Sequence, residues 1–261
     1  MTTGPAIRHK PSSETAYTLG LPIGLGVAVL IGWQLAVRLA GISPVILPAP
    51  SDIVQSFGGV GGELLRQGWV TGFEALFAFV LSCLFGVAAA LFLGFSTVAF
   101  ETFYPGLVVF QIIPKIALAP LFTFWLGIAA TSRLSYALFI SFFPVTLATM
   151  TGLKRADTNA LRLCHALGAS RLQAFVAVQI PYALPYFFSG AKVAATMSII
   201  GIVIGEFISA NAGLGYYILR AQSYSETAHM FAAILVLCGI GLLLYIIPVQ
   251  AERWVRRWWW D

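Results

Sequence analysis

Charge is what this chain has least of. Asp, Glu, Lys and Arg make up 10% of its 261 residues, against about 25% in ordinary soluble domains, so a solvated globular domain is excluded and an integral membrane protein is indicated. Histidine is also scarce. His9, His165 and His229 fall in a polar tail, a polar loop and the edge of an apolar run, so no buried Ser–His pair or histidine-rich metal site can be assembled within the spans, and an intramembrane enzyme is excluded. The three cysteines, Cys83, Cys164 and Cys238, have no metal-ligand spacing and make no disulfide framework. No Gly-x-x-x-x-Gly-Lys-Ser/Thr segment occurs, so the backbone cradle and lysine that hold nucleotide phosphates are missing. The net charge of +5 comes from basic residues scattered along the loops, which argues against a nucleic-acid patch.

What is present is apolar sequence: 59% of the residues are hydrophobic. Six runs can be drawn, at about 19–39, 73–97, 102–126, 133–152, 186–208 and 229–250, each near the roughly 20 residues that cross a bilayer as a helix. The expectation is an all-α polytopic membrane protein of about six transmembrane helices. Residues 1–18 read as a polar tail with Arg8 and Lys10, and the run that follows lacks a small-residue cleavage site, so it is expected to be a retained first span. Residues 19–65 then hold that span and an outer loop, 66–250 the core, with a polar loop at 153–185, and 251–261 a second tail.

Lys and Arg counts orient the chain. With the N-terminus cytoplasmic, the inside set is Arg8, Lys10, Lys154, Arg155, Arg162, Arg171, Arg253, Arg256 and Arg257, and the outside set is Arg38, Arg66, Arg133 and Arg220. Nine against four favours both termini inside. The C-terminal RWVRRWWWD suits a helix end at the membrane headgroups.

The stretch Leu163–Pro181, LCHALGASRLQAFVAVQIP, is the polar exception. Leu161, Leu163, Ala166 and Leu167 fit one side of a short helix with Arg162 and His165 elsewhere around it, and Gly168 stops it. Ser170 with Gln173 makes a capping-box pattern, so a second helix is expected from Arg171 to Ile180, ending before Pro181. An ordinary helical loop between spans would look the same.

This stretch resembles the cytoplasmic coupling loop of permease subunits from ATP-binding-cassette (ABC) importers, in which a short helix, a glycine, a second helix and a Leu/Ile-Pro pair follow one another. Gly168 and Ile180-Pro181 match; the Glu-Ala-Ala that opens that motif is replaced by Arg162, Leu163 and Cys164. LPAPSDIV at 47–54, IPKIALAPLFTFWLG at 113–127, ALPYFFSGAKVAATMSIIGIVIGEF at 183–207 and NAGLGYYI at 211–218 are similar to segments of the nitrate/sulfonate/taurine-type permeases of type I importers. The resemblance implies a MetI-like permease fold in a multi-pass bacterial inner-membrane protein. It implies a second permease copy, two cytoplasmic ATPases and an extracytoplasmic solute-binding protein as partners, with ATP and Mg on the ATPases and no cofactor on this chain. It also implies that Asp157, Leu161, Arg162, His165, Ala166, Leu167, Gly168, Ala169, Ser170 and Arg171 couple to the ATPase, and that the solute is small, anionic or aromatic and heterocyclic.

Charges in the spans supply the candidate pathway residues. Lys115, midway along the third run between Pro114 and Pro120, reads either as an anion-attracting group in the pathway or as a snorkelling or internally paired lysine. Glu206 and Trp125 complete the set, though Lys115 and Glu206 sit at different depths and are not expected to pair, and Trp125 reads most simply as an interfacial aromatic. Lys192 is expected to be an interface anchor. Gly86/Ala90/Gly94 and Gly201/Gly205 are expected to pack helices closely, and Asn211–Gly215 to form an outward turn. The rival reading is a secondary transporter or channel working without an ATPase.

Overall fold

A computed structural model describes residues 13–259 and the side chains of 20–257; Arg8, His9, Lys10 and the side chains of Trp258, Trp259 and Trp260 lie outside them. The described residues are helical and contain no strand. The helices are α1 Ser13–Leu39, α2 Pro50–Phe95, α3 Thr97–Ile112, α4 Ala119–Leu126, α5 Ala130–Lys154, α6 Thr158–Ala166, α7 Arg171–Ala174, α8 Ile180–Ser209, α9 Leu214–Ser223 and α10 Thr227–Trp259. Five helical stretches are long and apolar enough to cross a membrane, and the bent pair α3 and α4, counted together as one span, would make a sixth.

Two of these differ from the expected runs. The α2 helix begins at Pro50, well before the apolar run it contains, so most of the expected outer loop is helix. Proline is tolerated at a helix start because its missing N–H would be unpaired there, and the Asp52 carboxylate accepts from the Ala49 amide at 3.1 Å. The same residues hold α1: Arg38 pairs with Asp52 at 2.5 Å, and the Gln34 side chain both donates to Ser51 Oγ and accepts from the Ser51 amide. The expected third span is not straight. It bends by 93° at residues 113–114, between α3 and a 3₁₀ turn at Lys115–Leu118 that leads into α4, where Pro114 lacks a backbone donor.

The centre of the fold is the packing of α5 on α8. A Cβ on Gly201 would stand 2.6 Å from Ala137 Cα, one on Gly190 2.7 Å from the Pro144 carbonyl oxygen, and one on Gly152 2.8 Å from Ala183 Cα. These backbones touch because side chains are absent, which is how helices gain dispersion contact where lipid offers no hydrophobic drive. Gly86 of α2 meets Val145 of α5 in the same way, and Ser82 and Ser141 share a 2.6 Å hydrogen bond across that contact. The expected small-residue spacings are therefore packing surfaces within one chain.

At the end of the bundle away from α6, polar side chains from three helices converge. Arg133 of α5, counted above as a loop charge, is almost fully buried and makes a two-pronged ion pair with Glu74 of α2 at 2.6 and 3.0 Å. Beside it, Glu206 of α8 is 1% exposed. Its carboxylate accepts from Thr71 Oγ1 at 2.7 Å and from the Gly215 amide at 2.7 Å, while Thr71 Oγ1 accepts from the Leu214 amide and Gln67 from the Gly213 amide. The amides that open α9, which a helix cannot satisfy within itself, are thus capped by side chains of α2 and α8, with a carboxylate at the positive end of the helix dipole. Gly213 has φ of 103°, and a side chain there would collide with Glu206.

Removing one partner of a buried pair strands the other charge at a cost of about 3–5 kcal/mol. Arg133→Met should lower the thermal unfolding midpoint of the detergent-solubilised protein clearly, whereas Glu74→Gln combined with Arg133→Met should lower it by less than the sum of the single changes. Additive losses would show that the pair carries no coupling.

Candidate functional site

The polar stretch after α5 folds as a short helix on a tight turn. Asp157 starts α6, accepting from the Asn159 amide at 2.8 Å, as capping carboxylates do. The α6 helix ends in a closed hydrogen-bonded turn: Gly168 N–H reaches the His165 carbonyl at 3.0 Å and Ala169 N–H the Cys164 carbonyl at 2.9 Å. This is the Schellman arrangement, which places the residue after the helix in the left-handed region; Gly168 has φ of 80° there, with nothing within 4 Å of where a side chain would start. Ser170 and Gln173 then close a reciprocal capping box.

No residue of α6 is buried. Leu163 is 60% and Leu167 79% exposed; Arg162, His165 and Ala166 are exposed as well, while Leu161 and Ala169 are half-buried. With Leu163 and, one turn on, Leu167 outside the fold, the segment has a free apolar face, and that face lies beside basic side chains.

The second helix does not end at Ile180. The α7 helix, a π turn at Phe175–Gln179 and α8 form one helical stretch, Arg171–Ser209, of 39 residues. In a regular α-helix the ring of Pro181 would press on the carbonyl four residues back and leave it without a donor. The π turn widens the backbone just ahead of it, the Ile180 amide bonding to the Phe175 carbonyl, and the helix passes the proline intact. Arg171, the last of the residues expected to couple, therefore starts the same rod that carries the fifth span, and the others sit on α6 and the turn that joins it.

Cations gather at this end. The Lys154 ammonium lies over the Phe100 ring, Arg155 over Tyr186 and Arg171 over Phe95, and Arg171 also reaches Thr97 Oγ1 at 3.5 Å. Lys192 is not a lone interface anchor: it pairs with Glu252 of α10 at 2.5 Å, both side chains mostly covered.

The three expected pathway residues are not brought together. Lys115 sits in the break between α3 and α4, half-buried, with its ammonium 5.2 Å from the centre of the Phe143 ring and its carbonyl accepting from Tyr136 Oη at 3.3 Å. No ion pair among the described residues engages it. Trp125 on α4 is 66% exposed, its ring near Phe122. Glu206 is spent on the α9 turn. Sequence reasoning missed Gln67, Thr71, Glu74 and Arg133; the available signal was the acid at the very start of the second run and the base at the start of the fourth.

Comparison with known proteins follows the same lines. Residues 82–257 match the family described as the binding-protein-dependent transport system inner membrane component. A protein named as a probable ABC transporter permease of Haemophilus influenzae is 35% identical over 85% of this chain and 90% of its own length. The formylaminopyrimidine transport permease of Halalkalibacterium halodurans is 30% identical over 88% and 92%, respectively, and the taurine transport system permease of Escherichia coli 28% identical over 91% and 89%. With its all-helical build and its multiple apolar spans, the chain belongs to the binding-protein-dependent transport system inner membrane component family, as a multi-pass inner-membrane permease subunit of an ABC importer.

Proposed function

We propose that this permease forms half of the pathway for a small anionic or aromatic, heterocyclic solute, and that α6 with the Gly168 turn is its contact with a separate ATPase. The observation that carries the reading is mechanical: an unburied amphipathic helix is fixed by a tight turn to a 39-residue helical rod that spans the bundle. Seating α6 in a groove of the ATPase would let closure of two ATPase subunits displace the rod as a rigid body. Asp157 and Ser170 hold the two helix starts; Leu161, Leu163, Ala166 and Leu167 supply apolar contact; Arg162, His165 and Arg171 supply charge; and Ala169 follows the glycine. The missing opening glutamate of the coupling motif leaves shape and apolar contact, not one acidic side chain, as the basis of docking.

The pathway would run between two copies of this chain, with Lys115 and Trp125 on the broken third span facing it and Glu206 bracing its outer end. Lipid covers the remaining apolar faces. An α6 on the cytoplasmic side, with both termini there, agrees with the loop charges. The relatives named for formylaminopyrimidine and taurine support a small solute with a charged or heterocyclic group.

Gly168→Trp tests the coupling. Its left-handed backbone costs a non-glycine residue roughly 1–2 kcal/mol, and the indole would stand in the docking face. Membrane insertion should be normal while solute-stimulated ATP hydrolysis by the assembled transporter falls by about tenfold or more; normal transport with normal ATPase association would overturn the assignment. Orientation is read separately. A Leu167→Cys variant lacking the three native cysteines should react with a membrane-impermeant maleimide in inside-out vesicles and stay unlabelled in right-side-out ones.

A further inference from the structure

A cavity of about 550 Å³ opens at the end of the bundle away from α6, where two breaks in helical structure meet. Ile128 comes from the link between α4 and α5, Phe207 and Asn211 from the end of α8 and the link after it, Tyr216 and Arg220 from α9, and Tyr224 from just beyond. Irregular backbone at such a place is tolerated where it lines a wet cavity in protein, and the volume falls in the range of about 300–1,000 Å³ usual for small-molecule sites.

Arg220 is the cation that lines the cavity, and it differs from the other arginines assigned to this membrane face. Arg38, Arg66 and Arg133 each close on a carboxylate; among the described residues no ion pair engages Arg220, whose guanidinium lies 4.9 Å from the centre of the Tyr217 ring. The nearby acids are committed elsewhere. Glu206, in the cavity wall, is held by Thr71 and Gly215; Glu63 is held by Arg66 and Gln67; Glu226 lies against His229 at 3.0 Å. Arg220 is thus the cation left to face an incoming group, with aromatic and apolar side chains around it. From the cavity, Phe207, Ile200, Thr196 and Val193 continue as an exposed stripe down one face of α8.

Resting on the reading of the chain as an importer permease, we infer that this cavity is a receiving site for the solute. It takes a small organic anion, with the sulfonate or carboxylate on Arg220 through charge-assisted hydrogen bonds and the body of the molecule against Tyr216, Tyr224 and Phe207.

The test is direct binding of taurine, ethanesulfonate and phenylacetate to the permease–ATPase complex in nanodiscs, without binding protein. At least one of these anions should bind the wild type. Its affinity should fall by about tenfold or more in Arg220→Gln, recover in part in Arg220→Lys, and fall by less in Tyr224→Ala, a change at an exposed position. Co-elution of the ATPase certifies the fold of each variant. No binding by any of the three, or equal binding by Arg220→Gln, overturns the inference while the importer reading stands on ATPase association and the Gly168→Trp result. Arg220→Gln that weakens attachment of the binding protein to the complex but leaves anion binding unchanged would make the arginine a protein-docking contact, and the inference fails.

Discussion

A helix inside a bilayer has no water to take up a stranded backbone group, and the helix with most to do here carries Pro181 at its start and Pro185 one turn on. Everything between the α6 turn and the opposite end of the bundle depends on Arg171–Ser209 remaining one rod across Pro181. The π turn at Phe175–Gln179 solves this locally: a wider turn makes room for the ring, and the amide of Ile180 reaches one residue further back than usual. A break at Pro181 would have left α6 on a hinge. Displacement at the exposed helix would then have been absorbed in a loop of the kind that connects most elements, not passed into the packed core of α5 and α8.

The far end of the rod is fixed by a different device. Glu206 lies one turn before the end of α8 and supplies its carboxylate to the start of α9, while Gln67 and Thr71 of α2 supply the other two caps. A charge this deeply covered is costly without hydrogen bonds, and here every contact it makes joins α8 to a different element. The Glu74–Arg133 pair ties α2 to α5 alongside. Four helices, α2, α5, α8 and α9, are therefore tied by polar contacts at one end, and α2, α5 and α8 also by glycine-mediated contact through the middle. In the proposed mechanism this is what lets a push at one membrane face reorganise a cavity at the other.

Which of this was legible follows from how local each signal is. The Gly168 turn and the Ser170–Gln173 box are set by neighbours within a few residues, and both formed as the sequence implies. The apolar runs marked the spans, because a bilayer imposes length and polarity directly. Hydropathy has no direction, however, so it could not distinguish a straight third span from two pieces at 93°, although Pro114 sits at the bend. It also missed the helix start at Pro50, since the first turns of α2 are polar. Two of the three caps of α9 come from about 140 residues earlier in the chain, and the acid that neutralises Lys192 lies 60 residues later; no spacing rule connects them. Counting Arg133 as a loop charge failed for the same reason.

Nine of the cations sort into two groups once their partners are known, and the sorting bears on how a permease can handle a charged solute. Arg38, Arg66, Arg133 and Lys192 are closed on carboxylates and are electrically spent. Lys115, Lys154, Arg155, Arg171 and Arg220 lie instead over aromatic rings. A ring face attracts a cation through its quadrupole but carries no net charge. It steadies the side chain and offsets part of its desolvation, yet leaves the positive field undiminished for an anion that approaches from the other side. A carboxylate would hold the same side chain more firmly and cancel that field. Cations that must hold still in a poorly solvated place and still attract a passing anion are better served by rings than by acids. Lys115, half-buried in the broken span, is held in this way, and the exposed Arg220 at the cavity is steadied by the Tyr217 ring.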